Sequence, residues 1–211
     1  MRTLRWLFLA ATIATIGAIS ACSKPPEQAL PRGTRVLALG DSLTAGNGVT
    51  PAEAWPALLA VNTGWEIING GVSGDTSAGG LARLPDLLDE HAPKLVFVSL
   101  GGNDMLRRVP QAETVANLNR ILDLVHAKGA KAVLLATPKP SITGAVFNSL
   151  SAAEFYRPIA DAHKIPLIEN ALPAVLSESK LKVDALHPNV AGHILLTKKI
   201  TEALKDIGYV R

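Results

Sequence analysis

Leu95-Val-Phe-Val-Ser-Leu-Gly-Gly-Asn-Asp104 decides the architecture. Its first six residues are apolar apart from Ser99, too short a run for a buried helix and without the polar alternation of a half-exposed strand. They read as a strand covered on both faces. The two glycines that follow permit a tight turn and leave Asn103 and Asp104 just past the strand end. The same pattern recurs along the chain. Residues 35–39, apolar after Arg35, run into Gly40-Asp41-Ser42-Leu43, and residues 65–68 run into Asn69-Gly70-Gly71. Residues 132–136 and 165–168 supply a fourth and a fifth apolar run. Helical patterns separate them, over 54–61, 80–90, 113–127, 152–163 and 189–204. Leu81, Leu84, Leu87 and Leu88, for example, share one face. Short apolar strands alternating with amphipathic helices predict an α/β domain in three layers, a five-stranded parallel sheet between helices.

This topology sorts residues by edge. In an open parallel sheet the functional crevice lies at the carboxyl ends of the strands, so the three glycine-rich turns gather on one edge. Ser42 stands where a strand becomes a helix, with its hydroxyl projecting from that edge. Its own N–H, the N–H of Gly71 and the side-chain amide of Asn103 can converge on one oxygen. Each residue has a plainer reading alone: a helix cap for Ser42, a turn glycine for Gly71, another cap for Asn103. Of the five histidines, His91, His126 and His163 belong to helix ends on the opposite edge. His193 lies within the last helix, as a packing or surface residue. His187 follows the fifth strand and precedes the last helix, on the same edge as Ser42. Asp184 lies three residues before it and can reach one ring nitrogen, leaving the other for Ser42. Pro188 biases His187 away from the α region and is placed to start the helix. A nucleophile, a base, an orienting acid and oxyanion donors are the parts of a serine hydrolase.

Composition narrows the alternatives. The chain has 211 residues, 48% hydrophobic and 18% charged, which suits one folded domain and excludes a disordered chain. A single cysteine excludes an intramolecular disulfide framework and a cysteine-based zinc site. Arg2 and Arg5 precede an uncharged apolar run over 6–19, which ends at Ile19-Ser-Ala-Cys22. That run is shorter than the roughly 20 residues that span a bilayer, so it reads as a secretory signal. The Ile-Ser-Ala-Cys tetrad resembles a bacterial lipobox, which would make Cys22 a lipidated N-terminus. The alternative is ordinary cleavage beside an incidental cysteine. The expected organisation is a signal peptide over 1–21, a lipidated Cys22 with a tether to residue 33, and one domain over 34–211. Ser23 after the cysteine favours the outer membrane over the inner. Removing the leader takes two arginines and no acid, leaving 19 basic against 18 acidic residues. The formal +3 of the whole chain is therefore no argument for nucleic acid.

Together, Gly40-Asp41-Ser42-Leu43, Gly71 after Asn69, Gly101-Gly102-Asn103-Asp104 and Asp184-x-x-His187 resemble the four blocks of the SGNH (GDSL) hydrolases, in the family's chain order. The likeness covers the chain from about Arg35 onward. The stretches Asn69–Pro85 and Leu100–Asp104 are most similar to the periplasmic thioesterase/lysophospholipase/arylesterase branch. This resemblance implies a flavodoxin-like fold, Ser42 as nucleophile, His187 as base and Asp184 as its orienter. It also implies an oxyanion hole from Ser42, Gly71 and Asn103. The lipid anchor is a departure from the soluble periplasmic members of that branch.

The expected reaction is hydrolysis of acyl esters through an acyl-enzyme, extending to thioesters and lysophospholipids. The expected partners are a small acyl-ester substrate and, through the N-terminal lipid, the membrane; the expected state is a monomer. Residues 137–150, on the catalytic edge, are candidates for an acyl groove through Pro138, Pro140, Ile142, Val146 and Phe147, and Asp75-Thr76-Ser77 for a mobile lip. No cofactor is implied, since no phosphate-loop, dinucleotide or His-Glu-x-x-His spacing occurs. A carbohydrate or peptidoglycan O-acetylesterase would use the same triad. A noncatalytic surface lipoprotein and a nucleotide-binding α/β protein are the readings from other classes.

Overall fold

The computed structural model describes residues 28–141 and 149–211. Five parallel strands form one sheet: β1 (Arg35–Gly40), β2 (Glu66–Gly71), β3 (Leu95–Ser99), β4 (Lys131–Leu135) and β5 (Leu167–Ile168), in the spatial order β2-β1-β3-β4-β5. The order reverses direction between β1 and β3. At such a switch point the loops from the two strands leave toward opposite faces and open a crevice. Ser42 follows β1 and Asn103 follows β3, so both stand at its mouth.

Strand alternation divides the core. Leu37, Leu39, Val96, Val98 and Leu134 face one layer, built by α3 (Ser77–His91), α5 (Gln111–Ala127) and α6 (Tyr156–His163). Val36, Ala38, Leu95, Phe97 and Leu135 face the other, built by α2 (Trp55–Thr63), α7 (Ala171–Ser177) and α8 (Val190–Ile207). Trp55 packs edge-on against Phe97 at 5.6 Å between ring centroids, the preferred geometry for opposed aromatic quadrupoles. Two short helices, α1 (Ser42–Ala45) and α4 (Gly102–Leu106), lie on the catalytic edge. The three-layer α/β expectation holds, including the five parallel strands.

The differences in detail have local causes. Strand β2 runs through Asn69-Gly70-Gly71 instead of ending before it, with Gly71 opposite Gly40. A Cβ at Gly71 would stand 2.1 Å from Ala45 N, so it is the close approach of α1 that requires glycine there. Helix α6 begins at Tyr156, not at residue 152, because Ala152 pairs with Pro138 in an isolated bridge. Pro188 does not start the last helix. Asn189 caps it by accepting from Gly192 N at 3.0 Å, a role asparagine fills well, and Pro188 pairs instead with Lys182. Helix α7 was not anticipated.

His193 is fully buried, and its Nδ1 accepts from Trp55 N at 3.2 Å. It thereby caps α2, whose own N-cap, Ala54, offers no side-chain acceptor. At the start of the described chain, Leu30 N donates to Tyr209 O at 3.0 Å and Gly33 N to Gly64 O at 2.7 Å. The end of the expected tether is thus pinned to the domain. The signal peptide and Cys22 lie outside the described residues, as do Ile142, Val146 and Phe147. Among the described residues no helix is long and apolar enough to cross a membrane.

Candidate active site

The segment after β1 is held by its own aspartate. Asp41 Oδ1 accepts from Leu43 N at 3.0 Å, and Gly46, with φ of 90°, closes the four-residue helix at its other end. Ser42 is therefore fixed at the first position of α1, where an N–H has no intrahelical acceptor and remains available to an anion. Its Oγ lies 2.9 Å from His187 Nε2. His187 Nδ1 lies 2.8 Å from Asp184 Oδ2. The serine, the histidine and the aspartate form one unbroken hydrogen-bonded chain across 145 residues of sequence.

Asp184 also holds its own loop. Its Oδ1 accepts from Leu186 N at 2.7 Å and His187 N at 2.8 Å. The bond with the His187 ring, followed by these amide bonds, pulls its carboxyl down to about 2, so it is ionised beside the imidazole at neutral pH. With its proton kept on Nδ1 toward that carboxylate, His187 presents a lone pair at Nε2 to the serine hydroxyl.

The expected oxyanion donors are placed less simply. Asn103 Nδ2 donates to Asp75 O at 2.9 Å and, over a long 3.3 Å, to Asp41 Oδ2. The bond to Asp41 is the weaker of the two. Gly71 N donates to Asn69 Oδ1 at 3.0 Å. Asp75-Thr76-Ser77 is no mobile lip. Asp75 pairs with Arg83 at 2.8 Å, Arg83 also donates to Gly40 O, and Ser77 N and Oγ both donate to the buried Asp104.

Asp41 is a site residue whose part the sequence did not reveal, although an aspartate immediately before a helix signals an N-cap. It is only 2% exposed. Burial, against the opposing Leu43 amide bond, raises its pKa from 3.8 to about 6. The folded chain thus holds this proton more tightly than the unfolded chain, so the stabilisation is present in full below 3.8 and lost as pH rises through about 6. Relative to Asp41→Asn, the wild type should gain on the order of 2–3 kcal/mol between pH 7 and pH 4. Paired urea melts across that range measure it; a difference that stays constant with pH would show that Asp41 does not titrate there.

A cavity of about 330 Å³ opens beside Ser42 and Asn103. Leu43, Leu106, Pro138, Leu150, Leu176 and Leu186 give it an apolar wall. The described part of the loop after β4 thus lines the groove, as expected, while Gly71 is not among its lining residues. No group of three metal-ligating side chains occurs among the described residues.

The model of the GDSL-like lipase/acylhydrolase family matches residues 38–195, which include Ser42, Asn103, Asp184 and His187. The chain belongs to that family. It is 40% identical over 159 residues to the thioesterase 1/protease 1/lysophospholipase L1 of Escherichia coli K12, across 73% of this chain and 75% of that one. It is 36% identical to an arylesterase of Vibrio mimicus, across 81% and 84%. The crystal structure of TesA superposes with a TM-score of 0.73 at 34% identity, covering 82% of this chain and 99% of that one. Membership of the family makes the protein a GDSL-type enzyme acting on ester bonds and explains why its polar groups converge at the β1/β3 switch point.

Proposed function

We propose that Ser42 is the nucleophile of a two-step acyl-ester hydrolysis. The observation that carries this reading is the Asp184–His187–Ser42 hydrogen-bonded chain at the mouth of an apolar groove. Ser42 Oγ attacks the ester carbonyl as its proton passes to His187 Nε2, and the ionised Asp184 stabilises the resulting imidazolium. Ser42 N–H, Gly71 N–H and the Asn103 amide hold the oxyanion, the latter two giving up or sharing their partners within the chain. The imidazolium returns the proton to the departing alcohol or thiol. Water then attacks the acyl-serine by the same route, releasing the acid and restoring Ser42.

The apolar wall supports acyl chains longer than acetyl, in oxygen esters, thioesters and lysophospholipids. The relatives whose names mention thioesterase, lysophospholipase and arylesterase activity point the same way. A series of p-nitrophenyl esters tests this on the purified protein. With about 0.8 kcal/mol for each methylene buried, kcat/KM should climb by about fourfold per methylene until the groove is filled. A maximum at acetyl, with release of acetate from acetylated glycans, would instead favour the O-acetylesterase reading.

The same proposal extends to the chain's organisation. Residues 1–21 are a signal peptide, Cys22 is the lipid-bearing terminus of an envelope lipoprotein in the outer membrane, and residues 34–211 form a monomeric hydrolase domain. The lipobox-like Ile19-Ser-Ala-Cys22 supports the anchor. Labelling of the full chain with radioactive palmitate, lost in Cys22→Ala, is the corresponding measurement, and labelling that persists would refute it.

A further inference from the structure

Beneath the turn that carries Asn103 lies a second polar cluster, separate from the Ser42–His187–Asp184 chain. Tyr156 opens α6 and is fully buried. Its hydroxyl donates to Leu100 O at 2.6 Å and lies 2.7 Å from Thr137 Oγ1. A carbonyl oxygen only accepts, so the single phenolic proton is committed to Leu100. The proton between the two hydroxyls must then come from Thr137. The result is a directed chain, Thr137 to Tyr156 to the Leu100 carbonyl, linking the loop after β4, α6 and the end of β3.

The contact with the turn is close. Gly101 has φ of 115°, and a Cβ there would stand 2.7 Å from the Tyr156 hydroxyl oxygen. The phenol therefore sits directly against Gly101, while its hydrogen bond holds the carbonyl one residue earlier. Asn103 follows two residues later and is held from the other side by Asp75 O and Asp41 Oδ2. Burial pushes the phenol well above its ordinary range, so it stays protonated, as a donor must.

We propose that Tyr156, supported by Thr137, is a positioning residue: its hydroxyl fixes the Leu100-Gly101-Gly102 turn so that the Asn103 amide points at the developing oxyanion. This rests on the reading of Asn103 as an oxyanion donor. A tyrosine that merely filled the core would contribute to stability and leave turnover alone. Small misplacements of a catalytic group, by contrast, act on rate.

The test is a set of kinetic constants on a short p-nitrophenyl ester, measured well below every variant's melting temperature. Asn103→Ala should lower kcat roughly a hundred- to a thousand-fold. Tyr156→Phe should lower kcat on the order of tenfold, displacing that donor without removing it, with KM unchanged. Thr137→Val should also lower kcat and Thr137→Ser restore it. Because Tyr156 acts through Asn103, the losses from Tyr156→Phe and Asn103→Ala should not multiply when combined. A wild-type kcat in Tyr156→Phe with only a lower melting temperature would overturn the inference, and so would losses that multiply; both leave the oxyanion reading standing. A wild-type kcat in Asn103→Ala would overturn the oxyanion reading and this inference with it. Should Tyr156→Phe fail to fold, the Thr137 pair decides: equal kcat in Thr137→Val and Thr137→Ser rejects the proposal.

Discussion

Ser42→Ala should lower kcat toward p-nitrophenyl esters on the order of a million-fold, the loss expected when the nucleophile of a serine–histidine unit is removed. The fold should survive the change. Ser42 is the first residue of α1, and what holds α1 is Asp41 at one end and Gly46 at the other, neither of which needs the serine hydroxyl. Among the described residues that hydroxyl makes one hydrogen bond, to His187 Nε2, at a half-buried position open to the cavity. The melting temperature should therefore stay near the wild-type value while activity disappears. A fluorophosphonate probe should label the wild type and leave Ser42→Ala unlabelled, which separates a missing nucleophile from a misfolded one. Adding His187→Ala should cost little more, because the two groups act as a unit. Hydrolysis by Ser42→Ala at the wild-type rate would place the nucleophile at another residue and overturn the assignment to Ser42.

What could be read from the sequence divides by the range of the interactions involved. The edge on which Ser42 and Asn103 stand was legible because each directly follows a strand, and in a parallel sheet that position alone assigns an edge; the helix α7 between β5 and the Asp184–His187 segment was not. Asp184 and His187 are also close enough in sequence for spacing to suggest their contact. The positioning groups were not legible, since sheet pairing brings them from far apart. Tyr156 is 56 residues from Leu100, and Asn103 is 62 from Asp41. Asp41 and Asn103 stand in separate motifs whose spacing says nothing of their contact, and a buried tyrosine looks like core packing. The Asp75–Ser77 segment misled for a related reason. Polar residues followed by glycines suggest mobility, yet the partners that fix them, Arg83 and Asp104, become visible only once α3 is packed against the loop after β3. Gly71 was singled out for its backbone N–H; that the backbone of α1 crosses it so closely that no side chain fits was not legible.

Asp184→Asn should lower kcat by about 10⁴, less than loss of Ser42 but through a more specific route. The substitution is nearly isosteric, and an amide oxygen can still accept from Leu186 N and His187 N, so the loop that presents His187 keeps its shape. What changes is the group facing His187 Nδ1. In the wild type it is a carboxylate oxygen at 2.8 Å, which only accepts and therefore holds the ring proton on Nδ1. In the variant it is an amide that donates, which favours the tautomer with its proton on Nε2. That nitrogen then points a hydrogen at Ser42 and can no longer accept one from it. The imidazolium would also form without a neighbouring negative charge. Asp184→Glu separates the two contributions: it restores the charge but carries it one methylene further out, so it should recover more activity than Asp184→Asn without reaching the wild type. A neutral asparagine that supported wild-type turnover would show that His187 takes its orientation from elsewhere. The pH dependence offers an independent readout, since a carboxyl held down to about 2 gives the wild type no loss of this interaction at any pH near neutrality. Lowering pH from 7 to 5 should therefore leave Asp184 ionised in the wild type, so a fall in wild-type kcat across that interval does not come from loss of this carboxylate.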